Sequence, residues 1–142
     1  MTPNHSSARP LESRPLSPGL GAEVLGIDLS TPLSPNTFRQ IYDLFLDAQV
    51  LLFRRQNLDG ASQVAFGRLF GELQIHVMDQ YHAGAHPELY QLTNLDEAGN
   101  PNGKHPDKGT LAWHTDGSWR EVTGQATILF AEVTLASGSG GE

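Results

Sequence analysis

The segment Trp113-His114-Thr115-Asp116-Gly117-Ser118-Trp119 sets an imidazole and a carboxylate two residues apart between two indoles. On an extended backbone residues i and i+2 face the same side, so His114 and Asp116 can grip one metal ion together. They would be two ligands of a facial triad of two His and one carboxylate. That arrangement keeps coordination positions open and is typical of non-haem Fe(II) oxygenases, which need room for a cosubstrate and O2. The third ligand must come from elsewhere. Taken alone, the three-residue pattern also fits a surface His beside a turn Asp. The chain has no cysteine, so thiolate sites and disulfides are excluded and His, Asp and Glu remain as metal ligands. Such a set suits Fe(II), Mn(II) and similar ions.

Other chemistry-bearing residues read more plainly. His82, His86 and His105 lack a partner at H-x-D or H-x3-H spacing and are expected at the surface, with Tyr81-His82 a candidate pocket wall. A zinc hydrolase would call for a general base beside the metal, as in an H-E-x-x-H helix. None is present, and Glu72, the nearest candidate, reads as a helix-end residue. The pair Arg54-Arg55 reads as a solvated strand end rather than a phosphate site. Trp113 and Trp119 are expected to pack the hairpin that carries the metal pair.

Several elements must position these groups. Met1 to Leu16 is polar and rich in Pro and Ser, and is expected to be a disordered leader, with the folded domain starting at residue 17 and running to 142. Gly21 to Leu29 suggests a short strand anchored by Val24 and Ile27, leading to a turn at Ser30-Thr31-Pro32. Ser34 as N-cap and Pro35 at the first helical position open a helix whose stripe is Phe38, Ile41, Tyr42, Phe45 and Leu46. Val50 to Phe53 is an apolar run too short for a helix and suggests a strand buried on both faces. Asp59 caps a second helix through Val64, Phe66, Leu69 and Phe70, stopping at Gly71. Pro87 to Asn94 alternates as a half-buried strand. Asp96 to Lys108 is a loop rich in Gly, Pro and Asn and a candidate lid, and Ala126 to Val133 reads as a strand forming a hairpin-like unit with the metal motif. Helices first and strands later is the pattern of an α+β protein.

A length of 142 residues and 38% hydrophobic content suit one globular domain. Nine Lys plus Arg against 16 Asp plus Glu give a net charge of −7, which argues against sequence-independent binding to nucleic acid or to anionic membrane. No stretch approaches membrane-spanning length and nothing resembles a signal peptide, so a cytoplasmic protein is the default expectation.

Residues 110 to 120, Thr-Leu-Ala-Trp-His-Thr-Asp-Gly-Ser-Trp-Arg, resemble the iron-binding segment of the taurine and 2,4-dichlorophenoxyacetate dioxygenase (TauD/TfdA) family. Gly21 to Ser30 resembles that family's opening G-A-x-V-x-G-x-D-L segment. Gln49 to Gln56 resembles its first buried strand, and Phe70-Gly71-Glu72-Leu73-Gln74-Ile75-His76 its F-G-E-L-x-x-H segment. The order and spacing of all four agree, and the resemblance runs from about Pro15 to the last residue.

The resemblance implies a double-stranded β-helix (jelly roll) with flanking helices, incomplete at the C-terminus, and an Fe(II)- and 2-oxoglutarate-dependent dioxygenase. Such enzymes couple oxidative decarboxylation of 2-oxoglutarate to succinate and CO2 with hydroxylation of a substrate C–H bond, here of a small anionic organic molecule. It assigns the metal to His114 and Asp116 and substrate contacts to His76, Asn94 and Gly117, where the absent side chain leaves room. No catalytic group is assigned beyond the metal ligands. Where taurine-specific relatives carry a tyrosine, this chain has Asp79, whose charge would repel a sulfonate or require a cationic partner, so taurine is not the expected substrate. The partners implied are 2-oxoglutarate, O2 and the small molecule, with self-association into a homo-oligomer left open. The family's loop Thr, distal His and carboxylate-binding Arg have no counterpart before Glu142. The chain is therefore expected to be an N-terminal portion, inactive alone. The alternatives are a non-catalytic interaction fragment that pairs an open sheet edge with a partner and, less favoured, a zinc hydrolase built on the same two ligands.

Overall fold

A computed structural model describes residues 10–75, 82–103 and 112–134. The chain divides into two compact units, Met1–Leu69 and Phe70–Glu142.

The first unit is built on a three-stranded sheet in the order β1-β2-β3, with β1 at Glu12–Ser17, β2 at Leu20–Leu25 and β3 at Leu51–Phe53. β1 and β2 are antiparallel, pairing Glu12 with Leu25 and Ser17 with Leu20. Pro18 and Gly19 close their hairpin, Gly19 at φ 91, a left-handed value suited to glycine. β3 runs parallel to β2, pairing Ala22 with Leu51 and Val24 with Phe53. A parallel pair needs a crossover, which α1 (Pro35–Ala48) supplies.

The caps of α1 follow from local chemistry. Ser34 Oγ accepts the Thr37 N–H at 3.1 Å, Pro35 occupies the first turn, and Gln49 ends the helix in the left-handed region, its N–H on the Phe45 carbonyl at 2.8 Å. α2 (Gly60–Arg68) starts at Asp59, whose Oδ1 accepts the Ser62 N–H at 2.7 Å. The core is small: Ala22, Val24 and Leu29 from and beside β2, Ile41 of α1, Val64 and Phe66 of α2, with Phe66 edge-on to Phe53 at 5.8 Å.

Four expectations are corrected in this unit. The last part of the leader, residues 12–16, is strand β1. All of β1 is exposed, and it is held by its backbone ladder, so it carries no hydrophobic alternation; its Pro15 is tolerated on an edge strand. Residues 1–9 lie outside the described ones. β3 is half-buried rather than buried on both faces, because it pairs on one side with β2 alone among the described residues. Leu46 is exposed and falls outside the α1 stripe. α2 ends at Arg68, before Gly71, where the Leu69 N–H turns to the Phe66 carbonyl at 3.1 Å in a tightened last turn.

In the second unit β4 (His82–Ala83) and β5 (His86–Tyr90) form an antiparallel hairpin. Residues 95–101 close a tight loop around Asp96, whose Oδ1 accepts the Ala98 and Asn100 N–H groups at 3.0 and 2.8 Å. The lid expectation thus becomes a folded hairpin loop over its described part; residues 104–108 lie outside it. β5 stops four residues before Asn94. No strand forms over 126–133: no described residue pairs with its backbone, and Leu129 and Val133 are exposed. The described residues thus form an α+β arrangement, a mixed sheet with two helices, and not a closed jelly roll. No helix among them is long and apolar enough to cross a membrane.

Candidate metal site

His114 and Asp116 lie on a stretch without regular secondary structure, followed by a turn in which the Arg120 N–H bonds the Gly117 carbonyl at 3.0 Å. The ring nitrogen Nδ1 of His114 is 2.8 Å from the Ala112 carbonyl oxygen. A carbonyl only accepts, so Nδ1 carries the proton and the lone pair of a neutral ring sits on Nε2. That nitrogen faces Asp116 Oδ1 at 3.4 Å. The other carboxylate oxygen, Oδ2, accepts the Thr127 hydroxyl at 3.0 Å.

Each side chain therefore directs one atom to the shared point and commits the other to a supporting hydrogen bond. This is how metal ligands are oriented by their surroundings. A lone pair and a carboxylate oxygen repel one another unless a cation stands between them, either a proton on Nε2 or a metal ion. Two ligands bound at neighbouring positions of one ion at about 2.1 Å are about 3 Å apart, close to the observed separation. The donor set thus fits a divalent cation of the Fe(II), Mn(II) or Zn(II) type. Both side chains are open to solvent, at 44% and 60% exposure, which leaves access to the shared point. Among the described residues no third His, Asp or Glu joins them.

The indoles do not pack the site as expected. Trp113 is fully exposed, and Trp119 is exposed with the Arg120 guanidinium 4.9 Å above its ring. Gly117 has φ 62, and a Cβ built on it would stand 3.4 Å from Gln74 Oε1. That is an ordinary contact with the end of the Gln74 side chain, so the positive φ rather than a lack of space favours glycine here. Asn94 lies in the hairpin loop of residues 94–102, its carbonyl accepting the Asn102 N–H at 2.8 Å, and no bond joins it to the metal pair among the described contacts. His76, Asp79, Tyr81 and His105 lie outside the described residues, as does the His82 side chain; His86 is half-buried in β5.

Sequence reasoning missed Thr127, Gln74 and Arg120. Gln74 Nε2 donates to the Val122 carbonyl at 3.3 Å, and Arg120 Nη2 donates to the Ile75 carbonyl at 3.1 Å. These contacts span 48 and 45 residues, and no local pattern announces them.

In the first unit Arg54 also differs from a free strand end. Glu23, on β2, is buried, and its Oε2 accepts Arg14 Nε at 2.8 Å and Nη2 at 2.7 Å, while Arg54 Nε stands 3.4 Å from Oε1. The Arg14 hydrogen bond holds the Glu23 carboxyl below the usual range, burial opposes this, and the charges of Arg14 and Arg54 add to the lowering.

Residues 12–142 match the taurine catabolism dioxygenase TauD, TfdA family. The chain is similar to the alpha-ketoglutarate-dependent 2,4-dichlorophenoxyacetate dioxygenase of Cupriavidus pinatubonensis, 31% identical over 89% of this chain and 47% of that one. It is 33% identical to the alpha-ketoglutarate-dependent sulfate ester dioxygenase of Pseudomonas putida, over 90% of this chain and 39% of that one. Among solved structures it resembles a taurine dioxygenase from Burkholderia xenovorans, with a TM-score of 0.53 and 37% identity over 58% of this chain and 29% of that one. The chain spans less than half the length of these curated relatives.

Proposed function

We propose, from the premise that this chain belongs to the taurine catabolism dioxygenase TauD, TfdA family, that it carries two of the metal ligands of an Fe(II)- and 2-oxoglutarate-dependent dioxygenase acting on a small anionic organic substrate. The observation that carries this reading is the convergence of His114 Nε2 and Asp116 Oδ1 at 3.4 Å, each with its second polar atom already engaged. When bound, Fe(II) with 2-oxoglutarate supplies the oxidative decarboxylation to succinate and CO2 that is coupled to hydroxylation of a C–H bond.

The residues of this chain do the holding. Ala112 fixes the His114 tautomer and Thr127 turns the Asp116 carboxylate, so both ligands are presented before the metal arrives and less ordering is required on binding. The substrate class rests on relatives named for 2,4-dichlorophenoxyacetate and sulfate esters, both anionic. His76 is our candidate for the substrate's anionic group, with Asn94 and the Gly117 backbone as further candidate contacts. Asp79 argues against taurine itself unless a cationic partner accompanies it. A jelly roll completed by further strands, a cytoplasmic location and O2 as cosubstrate belong to the same reading.

The test is an anaerobic titration, with Fe(II) and then 2-oxoglutarate, of this chain extended to the length of its relatives, since two ligands alone do not complete the site. The expected result is a weak visible charge-transfer band that disappears in His114→Ala. Bound Fe(II) without a band would overturn the 2-oxoglutarate assignment, and no Fe(II) binding would overturn the metal site itself.

A further inference from the structure

The stretch that carries the metal pair, residues 112–134, contains no helix or strand, so no backbone ladder holds Asp116 in place. Two side chains tie this stretch to a segment far away in sequence. Gln74 reaches the Val122 carbonyl at 3.3 Å and lies against Gly117, 3.4 Å from the position a Cβ would take; Arg120 reaches the Ile75 carbonyl at 3.1 Å. The two bonds run in opposite directions, one from each segment to the other, and fasten the chain at Arg120 and Val122, directly after the turn of residues 116–119, while Gln74 lies against the turn at Gly117. Arg120 is further held by its stack on Trp119 at 4.9 Å, which limits the orientations of the guanidinium.

We propose that Gln74 and Arg120 are positioning residues of the metal site: a two-point clasp that holds the Asp116–Gly117 turn where Asp116 Oδ1 meets His114 Nε2. The proposal rests on the metal reading above and adds to it two residues that touch no ligand atom. The clasp acts on metal affinity because an untethered turn must be ordered when the ion binds, and that ordering cost is subtracted from binding. Outer residues of this kind change metal affinity by about 10- to 100-fold.

The test is Mn(II) binding to the full chain, followed by electron paramagnetic resonance. Native protein is compared with Gln74→Ala, Arg120→Ala, Arg120→Lys and, as a control distant in sequence, Gln56→Ala. Gln56 accepts the Leu29 N–H at 2.8 Å and donates to the Ile27 carbonyl at 3.0 Å, a staple of the first unit. The expected result is about tenfold weaker Mn(II) binding in each alanine variant of the clasp, with an altered spectrum of the bound ion and an unchanged far-ultraviolet circular dichroism spectrum. Arg120→Lys, which keeps one donor and the charge, should recover part of the affinity. Gln56→Ala should lower Tm and leave affinity alone. Affinities within twofold of native in both clasp variants would overturn the clasp while leaving the metal site standing. Mn(II) affinity that is equally unaffected by His114→Ala would overturn the metal reading, and the clasp with it. The two anchors are separate, so Gln74→Ala decides the question if Arg120→Ala fails to fold.

Discussion

Glu23 and Asp116 are both carboxylates with supporting partners, and they are set up in opposite ways. Glu23 is 5% exposed and meets two guanidiniums, from Arg14 and Arg54, on its two oxygens. Asp116 is 60% exposed, and its oxygens meet a hydroxyl and an imidazole nitrogen, with no Arg or Lys paired to it among the described residues. The first carboxylate has its countercharge built into the fold and so has nothing left to bind. The second has its geometry settled and its charge left over. A carboxylate that is oriented without a permanent countercharge, beside an imidazole nitrogen, is a place prepared for a cation; one that is neutralised is a structural tie.

The largest effect that would break this contrast comes from the open pair. His114→Ala or Asp116→Ala should abolish Mn(II) and Fe(II) binding, measured by titration, without lowering Tm in the absence of metal, since neither side chain is buried. A large loss of stability in either variant would show that the pair is a structural tie as well. Glu23→Gln should do the reverse: it leaves two arginines without their carboxylate and should lower Tm by several degrees while metal affinity is unchanged. The pH dependence follows from the lowered pKa. The charged form of Glu23 stabilises the folded state fully above the ordinary value of 4.5, and that contribution is lost as pH falls through the lower folded value. The Tm gap between native protein and Glu23→Gln should therefore be constant at neutral pH and narrow on acidification below about 4.5; a gap that widened with acid would reverse the assignment.

The same contrast governs what could be read from the residues alone. The helix starts at Ser34-Pro35 and Asp59 were legible because a cap is a contact across three residues. His114 and Asp116 were legible because a shared face needs only i and i+2 spacing. Strand β1 was not legible, since it is fully exposed and carries a proline, and its hold on the sheet is a backbone ladder completed by Arg14 on Glu23, nine residues away. The supports of the metal pair were hidden for the same reason: Thr127 is 11 residues from Asp116, and Gln74 and Arg120 act across more than forty. Conversely, 126–133 has the composition of a strand, but composition makes a strand only where another backbone is available to pair with it. The jelly roll implied by family resemblance depends on pairings that the described residues do not contain.

Thr127→Val sharpens the comparison at smaller scale. It keeps the shape of the side chain and removes the hydroxyl that holds Asp116 Oδ2, so Mn(II) binding should weaken by about tenfold with little change in Tm. An unchanged affinity would mean that the carboxylate orients itself without help.

Gly117→Ala should have the smallest effect and decides between two roles for that glycine. If the missing side chain matters because it leaves room for substrate, a variant should bind Mn(II) normally and lose only substrate affinity. If it matters because φ is 62, alanine is strained by about 1 kcal/mol, and part of that strain should appear as Mn(II) binding weakened by less than about fivefold. Asparagine distinguishes the two further, because it is larger than alanine yet tolerates the left-handed region better. On the conformational account Gly117→Asn binds Mn(II) more tightly than Gly117→Ala, although its bulk also meets Gln74. On the steric account metal affinity does not separate the two, and asparagine is the worse only for substrate. The positive φ favours the conformational outcome, since a Cβ at 117 would make only an ordinary contact with Gln74 Oε1 at 3.4 Å while its backbone would be strained whatever the space.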